Sequence, residues 1–265
     1  MKKMRTIGFI NWKGGVGKTT ISCNTAYALA HHFANLRILF IDMDKQGNAS
    51  YWFGANPELP NLYEIFERTA TAEEVIQHTR YKNIDIIPAD ASLLDINIEI
   101  LKDQSQRQDN ILKTALEPIM GDYDLCIIDN PPDSNIPVLN GITMVDDLIA
   151  VTLPNRFSVQ GIMQLQSELD NYNAALGLDI NILGVLINQR TAFDSEIFNI
   201  LSEKYRMLPP IRGGLNTQKW LDKVVNQRKS IYELCPQSGY ARDLKKFIEK
   251  LTELIASNYT GAKVL

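Results

Sequence analysis

Three glycines, two lysines and two threonines crowd into the stretch Asn11-Trp12-Lys13-Gly14-Gly15-Val16-Gly17-Lys18-Thr19-Thr20. Glycines at that density let backbone N–H groups turn toward an anion, a lysine supplies a cation, and a threonine hydroxyl can join the shell of a divalent ion. The chemistry is phosphate binding. The general phosphate-loop pattern is Gly-x4-Gly-Lys-[Ser/Thr]; Gly17, Lys18 and Thr19 satisfy it, while Trp12 stands where the leading glycine would be. Lys18 is expected to reach the β- and γ-phosphates and Thr19 to bind Mg²⁺. The whole run Gly14, Gly15, Val16, Gly17, Lys18, Thr19 and Thr20 is the expected nucleotide-binding segment. Lys13, at the mouth of the loop, is either a solvated lysine or a cation brought to the phosphates of a facing subunit, as an arginine finger is elsewhere.

Phosphoryl transfer to water also needs a metal-holding acid and a group that orients the attacking water. Asp129 closes the apolar run Asp124-Leu125-Cys126-Ile127-Ile128-Asp129, the position of an acid that holds Mg²⁺ through its water shell. Asp42 and Asp44, after the run Arg37-Ile38-Leu39-Phe40-Ile41, are the candidates for orienting water.

These residues need a strand before the loop and a helix after it, because the positive helix end must face the anion. Ile7-Gly8-Phe9-Ile10 supplies the strand and residues 21–30 the helical pattern. Further apolar runs, typical of strands buried on both faces, occur at 37–42, 124–129, 148–153 and 182–187, and 84–88 reads as another strand, stopped by Pro88. Between them lie helical segments, including a pattern from about 92 to 118 that the polar stretch 102–110 would interrupt, and another from about 159 to 176. Residues 62–78 read as short helices. Amphipathic segments follow at 196–205 and 217–225, then a last helix from about 241 to 257. Strands alternating with helices predict an α/β fold, a doubly wound, mostly parallel sheet flanked by helices, with right-handed crossovers. At 265 residues a single domain spanning 1–265 is expected.

Composition narrows the function. Residues 1–185 carry 14 Lys and Arg against 23 Asp and Glu, whereas 186–265 carry 13 against 8. A nucleic-acid surface is therefore sought in the C-terminal third. Cys23, Cys126 and Cys235 share no close spacing, which indicates neither a disulfide framework nor a zinc site, and His31, His32 and His78 form no metal motif. No apolar stretch approaches the roughly 20 residues that cross a bilayer, so a soluble cytoplasmic protein is expected. The apolar stripe of the last helix, Leu244, Phe247, Ile248, Leu251, Leu254 and Ile255, is expected to dock on the sheet rather than on lipid.

The string Lys-Gly-Gly-Val-Gly-Lys-Thr-Thr resembles the deviant Walker A loop of the ParA/MinD class of P-loop ATPases, and the chain as a whole is most similar to ParA/Soj partition ATPases. That resemblance implies ATP and Mg²⁺ as cofactors and catalytic roles for Lys13, Lys18 and Asp44, with Lys13 crossing into the partner's site of an ATP-sandwich homodimer. The segment Ile-Asp-Met-Asp-Lys-Gln-Gly-Asn resembles the family's Asp-x-Asp-Pro-Gln-Gly-Asn motif, with Lys45 in place of proline; it implies that Asp44 orients the water and Asp42 supports the loop and Mg²⁺ hydration. Asn188 falls where relatives carry a base-binding asparagine, and Pro209 and Pro210 resemble the loop that covers the base. Arg190 and Arg212 match DNA-contacting arginines, and Lys219, Lys223 and Arg242 join them as DNA-binding candidates. The implied partners are nonspecific DNA and a ParB-like centromere-binding protein, with no membrane and a nucleoid-associated, cytoplasmic location. With no helix-turn-helix domain before the loop, the short, non-operator-binding kind is implied. The alternative is a MinD-like membrane-associated positioning ATPase.

Overall fold

The computed structural model of the chain describes residues 4–96, 108–189, 195–214 and 217–257. Seven strands, β1 (Arg5–Ile10), β2 (Ile38–Asp42), β3 (Gln77–His78), β4 (Ile84–Ile87), β5 (Leu125–Asp129), β6 (Asp147–Thr152) and β7 (Ile182–Ile187), form one sheet. Their order is β3-β4-β2-β5-β1-β6-β7, and every pairing is parallel except β3 with β4. Apolar runs become central strands because both faces of the sheet are covered. In β2, Ile38 and Phe40 enter the core shared with the helix Lys18–His32, whereas Leu39 and Ile41 enter the core on the other face. Side chains that alternate between two buried layers need apolar residues at every position.

The strand order places the chemistry. β2, β5 and β1 are neighbours, and their register sets Asp42 beside Asp129 and Phe9 beside Asp129. The carboxyl ends of three adjacent strands therefore bring the phosphate loop and both buried acids to one spot, the edge where open α/β sheets bind ligands.

The last helix, Gly239–Ser257, packs into the same core as Lys18–His32. Leu244, Phe247 and Leu251 are 0% exposed and Ile255 is 2% exposed, so the apolar stripe faces the protein. Trp220 also packs against this core. Among the described residues no helix is long and apolar enough to cross a membrane, and the three cysteines are free thiols.

The structure refines three local expectations. Residues 62–78 hold two short helices, Leu62–Glu67 and Ala72–Val75, each opened by a reciprocal cap, Asn61 with Glu64 and Thr71 with Glu74. They end in the antiparallel edge strand β3 rather than in more helix. The 92–118 pattern is divided: residues 93–96 are helical, 97–107 lie outside the described residues, and the helix Ile111–Leu116 gives way to a 3₁₀ turn at Glu117–Ile119 containing Pro118. A helix at Ile136–Thr143, capped by Asn135, adds to what periodicity predicts.

Candidate nucleotide site

β1 runs straight into the glycine loop, whose first fixed point is Asn11. Its Nδ2 donates to the Val151 carbonyl of β6 at 2.7 Å, and its Oδ1 accepts from Lys13 N at 2.9 Å. Gly15 and Gly17 take φ of 72° and 93°, left-handed values that place the backbone around an open cradle. Gly17 caps the helix Lys18–His32, and no side chain caps it. The first N–H groups of a helix need an acceptor, and an anion at this end is one. Lys18, only 6% exposed, lies with Nζ 3.3 Å from the Lys13 carbonyl. Burial lowers its pKa, opposed by the charges of Asp129 and Asp44.

A Cβ on Gly17 would overlap the Asn188 amide, whereas one on Gly15 would meet nothing within 4 Å. Left-handed strain for a non-glycine is about 1–2 kcal/mol. Gly15→Ala should therefore cost about that much stability, and Gly17→Ala about twice as much, because Asn188 must also move; urea unfolding of the two variants checks the ranking.

The buried acids differ in how they are satisfied. Asp42 is fully buried and accepts three hydrogen bonds, from Asp44 N at 3.0 Å and from Ser50 N and Oγ at 2.8 Å each. Burial nevertheless outweighs them and pushes its pKa up to about 6. Asp129 is 1% exposed, and its Oδ1 has no hydrogen-bond partner. Burial and the neighbouring Asp42 raise its pKa, against hydrogen bonds from Thr19 and Ser22 and the charge of Lys18. An orphaned carboxylate oxygen beside a threonine hydroxyl and a phosphate cradle fits Mg²⁺. That ion keeps several waters and is bound through one or two protein oxygens and substrate phosphates rather than by a cage of side chains. Accordingly, among the described residues no cluster of three His, Cys, Asp or Glu forms a metal cage.

A carboxyl whose folded pKa is raised makes the fold less stable as pH climbs from its unfolded value to its folded one. For Asp42 the window is 3.8 to about 6. Without nucleotide, the wild-type protein should lose up to about 3 kcal/mol relative to Asp42→Asn across that window, at 1.36 kcal/mol per pKa unit. Urea unfolding of both proteins at pH 4.5 and pH 6.5 reads the difference in slope.

Asp44 is half-buried and stands at the cleft. Its Oδ1 accepts from Gln46 N at 2.9 Å, its carbonyl accepts from Gly47 N at 2.8 Å, and its own N–H leans on Asp42. The turn 44–47 thus holds a part-exposed carboxylate above a buried one. Lys45, the departure from the motif's proline, ion-pairs with Asp133 at 3.4 Å and bridges this turn to the loop after β5.

The cleft has a volume of about 370 Å³. The glycine loop, Lys18, Thr19, Thr20 and Asp44 form one side, and Leu221, Val224 and Val225 of the helix Thr217–Gln227 form the other, with Tyr51 and Trp52 between. Two larger hollows, about 670 and 680 Å³, include no residue of the phosphate loop.

Other expected residues fall elsewhere. Asn188 is 0% exposed; its Nδ2 donates to the Val16 carbonyl at 2.9 Å and its Oδ1 accepts from Tyr240 Oη at 3.2 Å. It is a strut beneath the loop and does not line the cleft. Pro209 and Pro210 lie in a segment that runs along β7, where Leu208 N bonds Val185 O and Ile211 N bonds Ile187 O; neither proline lines the cleft. Lys13 rests at the rim, its Nζ 3.3 Å from Asn155 Oδ1 and 5.8 Å from the centre of the exposed Phe157 ring.

Of the basic candidates, Arg212 is clamped by Asp243, with Nε to Oδ2 at 2.8 Å and Nη2 to Oδ1 at 3.0 Å. That bidentate pair ties Arg212 to the last helix, while its side chain stays 64% exposed. Burial raises the Asp243 pKa, but the bonds from Arg212 win and hold it below the ordinary value. Lys219 and Lys223 are exposed one turn apart on Thr217–Gln227. Arg242 is exposed and donates to the Gln237 carbonyl. Arg190 lies outside the described residues. Sequence reasoning missed Asn11 and Tyr240, whose importance comes from partners 140 and 52 residues away.

Comparison with known proteins follows the same lines. The AAA domain family (AAA_31) matches residues 4–182. The chain is 30% identical over 237 residues to chromosome partitioning protein ParA of Myxococcus xanthus, covering 89% of this chain and 79% of that one. It is 33% identical over 190 residues to sporulation initiation inhibitor protein Soj of Bacillus subtilis, covering 71% and 74%. Among solved structures, cobyrinic acid a,c-diamide synthase from Mycobacterium smegmatis, with a bound ATP analogue and magnesium, superposes with a TM-score of 0.80 at 24% identity over 97% of both chains. The last likeness is one of fold, which also serves a synthase; the sequence relatives make the choice. By its phosphate loop, its paired strand-end acids and these relatives, the chain belongs to the ParA/Soj family of deviant Walker A P-loop ATPases.

Proposed function

We propose that the chain is an ATP-driven DNA-partition switch. ATP with Mg²⁺ lies in the glycine cradle, two copies close face to face on two nucleotides, and the closed dimer holds DNA without reading its sequence. Hydrolysis, slow alone and stimulated by a ParB-like partner, releases it. One observation carries this reading: an uncapped helix end, an orphaned Asp129 oxygen and the part-exposed Asp44 meet at the carboxyl ends of β1, β2 and β5. Lys18 would neutralise the β- and γ-phosphates. Thr19, with Asp129 acting through water, would hold Mg²⁺, and the bound metal supplies charge neutralisation at the transferring phosphoryl group. Asp44 orients the attacking water, supported from below by Asp42.

Two anionic sites can meet only when cations stand between them. Lys13, at the rim beside an exposed phenylalanine, is the residue suited to that place. Lys219, Lys223 and Arg242 offer exposed charges for phosphates, with Arg190 as a further candidate, giving DNA affinity that falls steeply with salt. A MinD-like membrane role would use the apolar stripe of the last helix, which is buried here. The cytoplasm, on the nucleoid, is the matching location.

Size-exclusion chromatography with light scattering tests the switch, using ADP and a slowly hydrolysed ATP analogue with and without DNA. Doubling of mass and DNA retention only with the ATP analogue supports it. A monomer that ignores DNA in every nucleotide state, or that sediments instead with anionic vesicles, overturns it.

A further inference from the structure

The hydroxyl of Tyr240 begins a hydrogen-bond chain that ends on the phosphate loop. It donates to Asn188 Oδ1 at 3.2 Å, and Asn188 Nδ2 donates to the Val16 carbonyl at 2.9 Å. Tyr240 is 1% exposed and Asn188 0%, so neither water nor another solvent donor replaces these bonds. Burial raises the phenol's pKa and keeps it a donor. Phenylalanine would fill the same apolar space; what the hydroxyl adds is the bond to Asn188.

The consequence follows from peptide geometry. In a planar trans peptide the carbonyl and the next N–H point in opposite directions. Fixing the Val16 carbonyl downward on Asn188 therefore fixes the Gly17 N–H toward the cradle. The absence of a Cβ on Gly17 is what lets the amide come this close.

We propose that Tyr240 is a positioning residue for nucleotide binding: through Asn188 it sets the Val16–Gly17 peptide, so that the loop is shaped for phosphate before the ligand arrives. This rests on the nucleotide-binding reading above. It also ties the cradle to the helix Gly239–Ser257, which carries Arg242 on its exposed face and Asp243, the clamp of Arg212. Preorganisation of this kind appears in affinity, because the cost of ordering the loop is met in advance.

The test is titration of fluorescent ADP into wild type, Tyr240→Phe, Asn188→Ala and the double variant, with the amide chemical shift of Gly17 followed by NMR in the nucleotide-free proteins. Removing one buried hydrogen bond should weaken binding roughly fivefold in Tyr240→Phe and move the Gly17 amide resonance. If the hydroxyl acts through Asn188, adding Tyr240→Phe to Asn188→Ala should change affinity by less than about twofold. Leu251→Val, in the same helix and core, should lower thermal stability without changing affinity or the Gly17 resonance. Unchanged affinity with an unmoved Gly17 resonance in Tyr240→Phe, or an equal loss in both backgrounds, overturns the proposal. Wild type that binds no ADP overturns the nucleotide reading itself, and is distinguishable because it involves no variant.

Discussion

Lys18→Ala should abolish nucleotide binding at any ordinary concentration, with a loss of about 10²–10³-fold in affinity. The side chain is 6% exposed and lies among the phosphate loop, Asp129 and Asp44. Removing one member of a buried charge set costs about 3–5 kcal/mol, because the remaining charges lose their counter-ion. Here two like charges remain, Asp129 beside Asp42, and phosphates would add more. The protein should fold with reduced stability, since the same acids then lie buried without their cation. Titration with fluorescent ATP, alongside urea unfolding of the same preparation, separates lost affinity from lost fold.

Asp44→Ala should split binding from turnover. Its carboxylate faces the cleft and accepts only a local turn hydrogen bond from Gln46, so its removal disturbs the cradle little. A group that positions the nucleophile contributes about 10²–10⁴-fold, so single-turnover hydrolysis should slow by at least about 10²-fold while ATP affinity stays within about threefold. A fall in kcat without a rise in KM marks an interaction made in the transition state. Equal losses in binding and turnover would return Asp44 to a turn-forming role.

The sequence made the phosphate loop and its sheet legible for a physical reason. A central parallel strand needs apolar residues on both faces, and a phosphate turn needs glycine, so both leave local, contiguous signatures. Asp42 and Asp129 could be read as strand-end acids, although only the β2–β5 register shows them side by side. The rest depends on distant partners. Arg212 looks like a free cation until the chain returns 31 residues later with Asp243. Asn188 follows its strand as a base reader would, yet the last helix brings Tyr240 against it and commits its amide to the loop. The edge strand β3 is two residues long, too short for any alternation to announce it. Short helices such as Ala72–Val75 are held by caps rather than by a full apolar period, so their bounds are set by Thr71 and Glu74.

Calorimetric titration of ATP into the wild-type protein, with Mg²⁺ and again with excess chelator, tests the cradle most directly. Saturable binding of about one nucleotide per chain, weakened without the metal and absent in Lys18→Ala, is the predicted result. No binding by the wild type at millimolar Mg·ATP, or binding indifferent to both metal and Lys18, would contradict it.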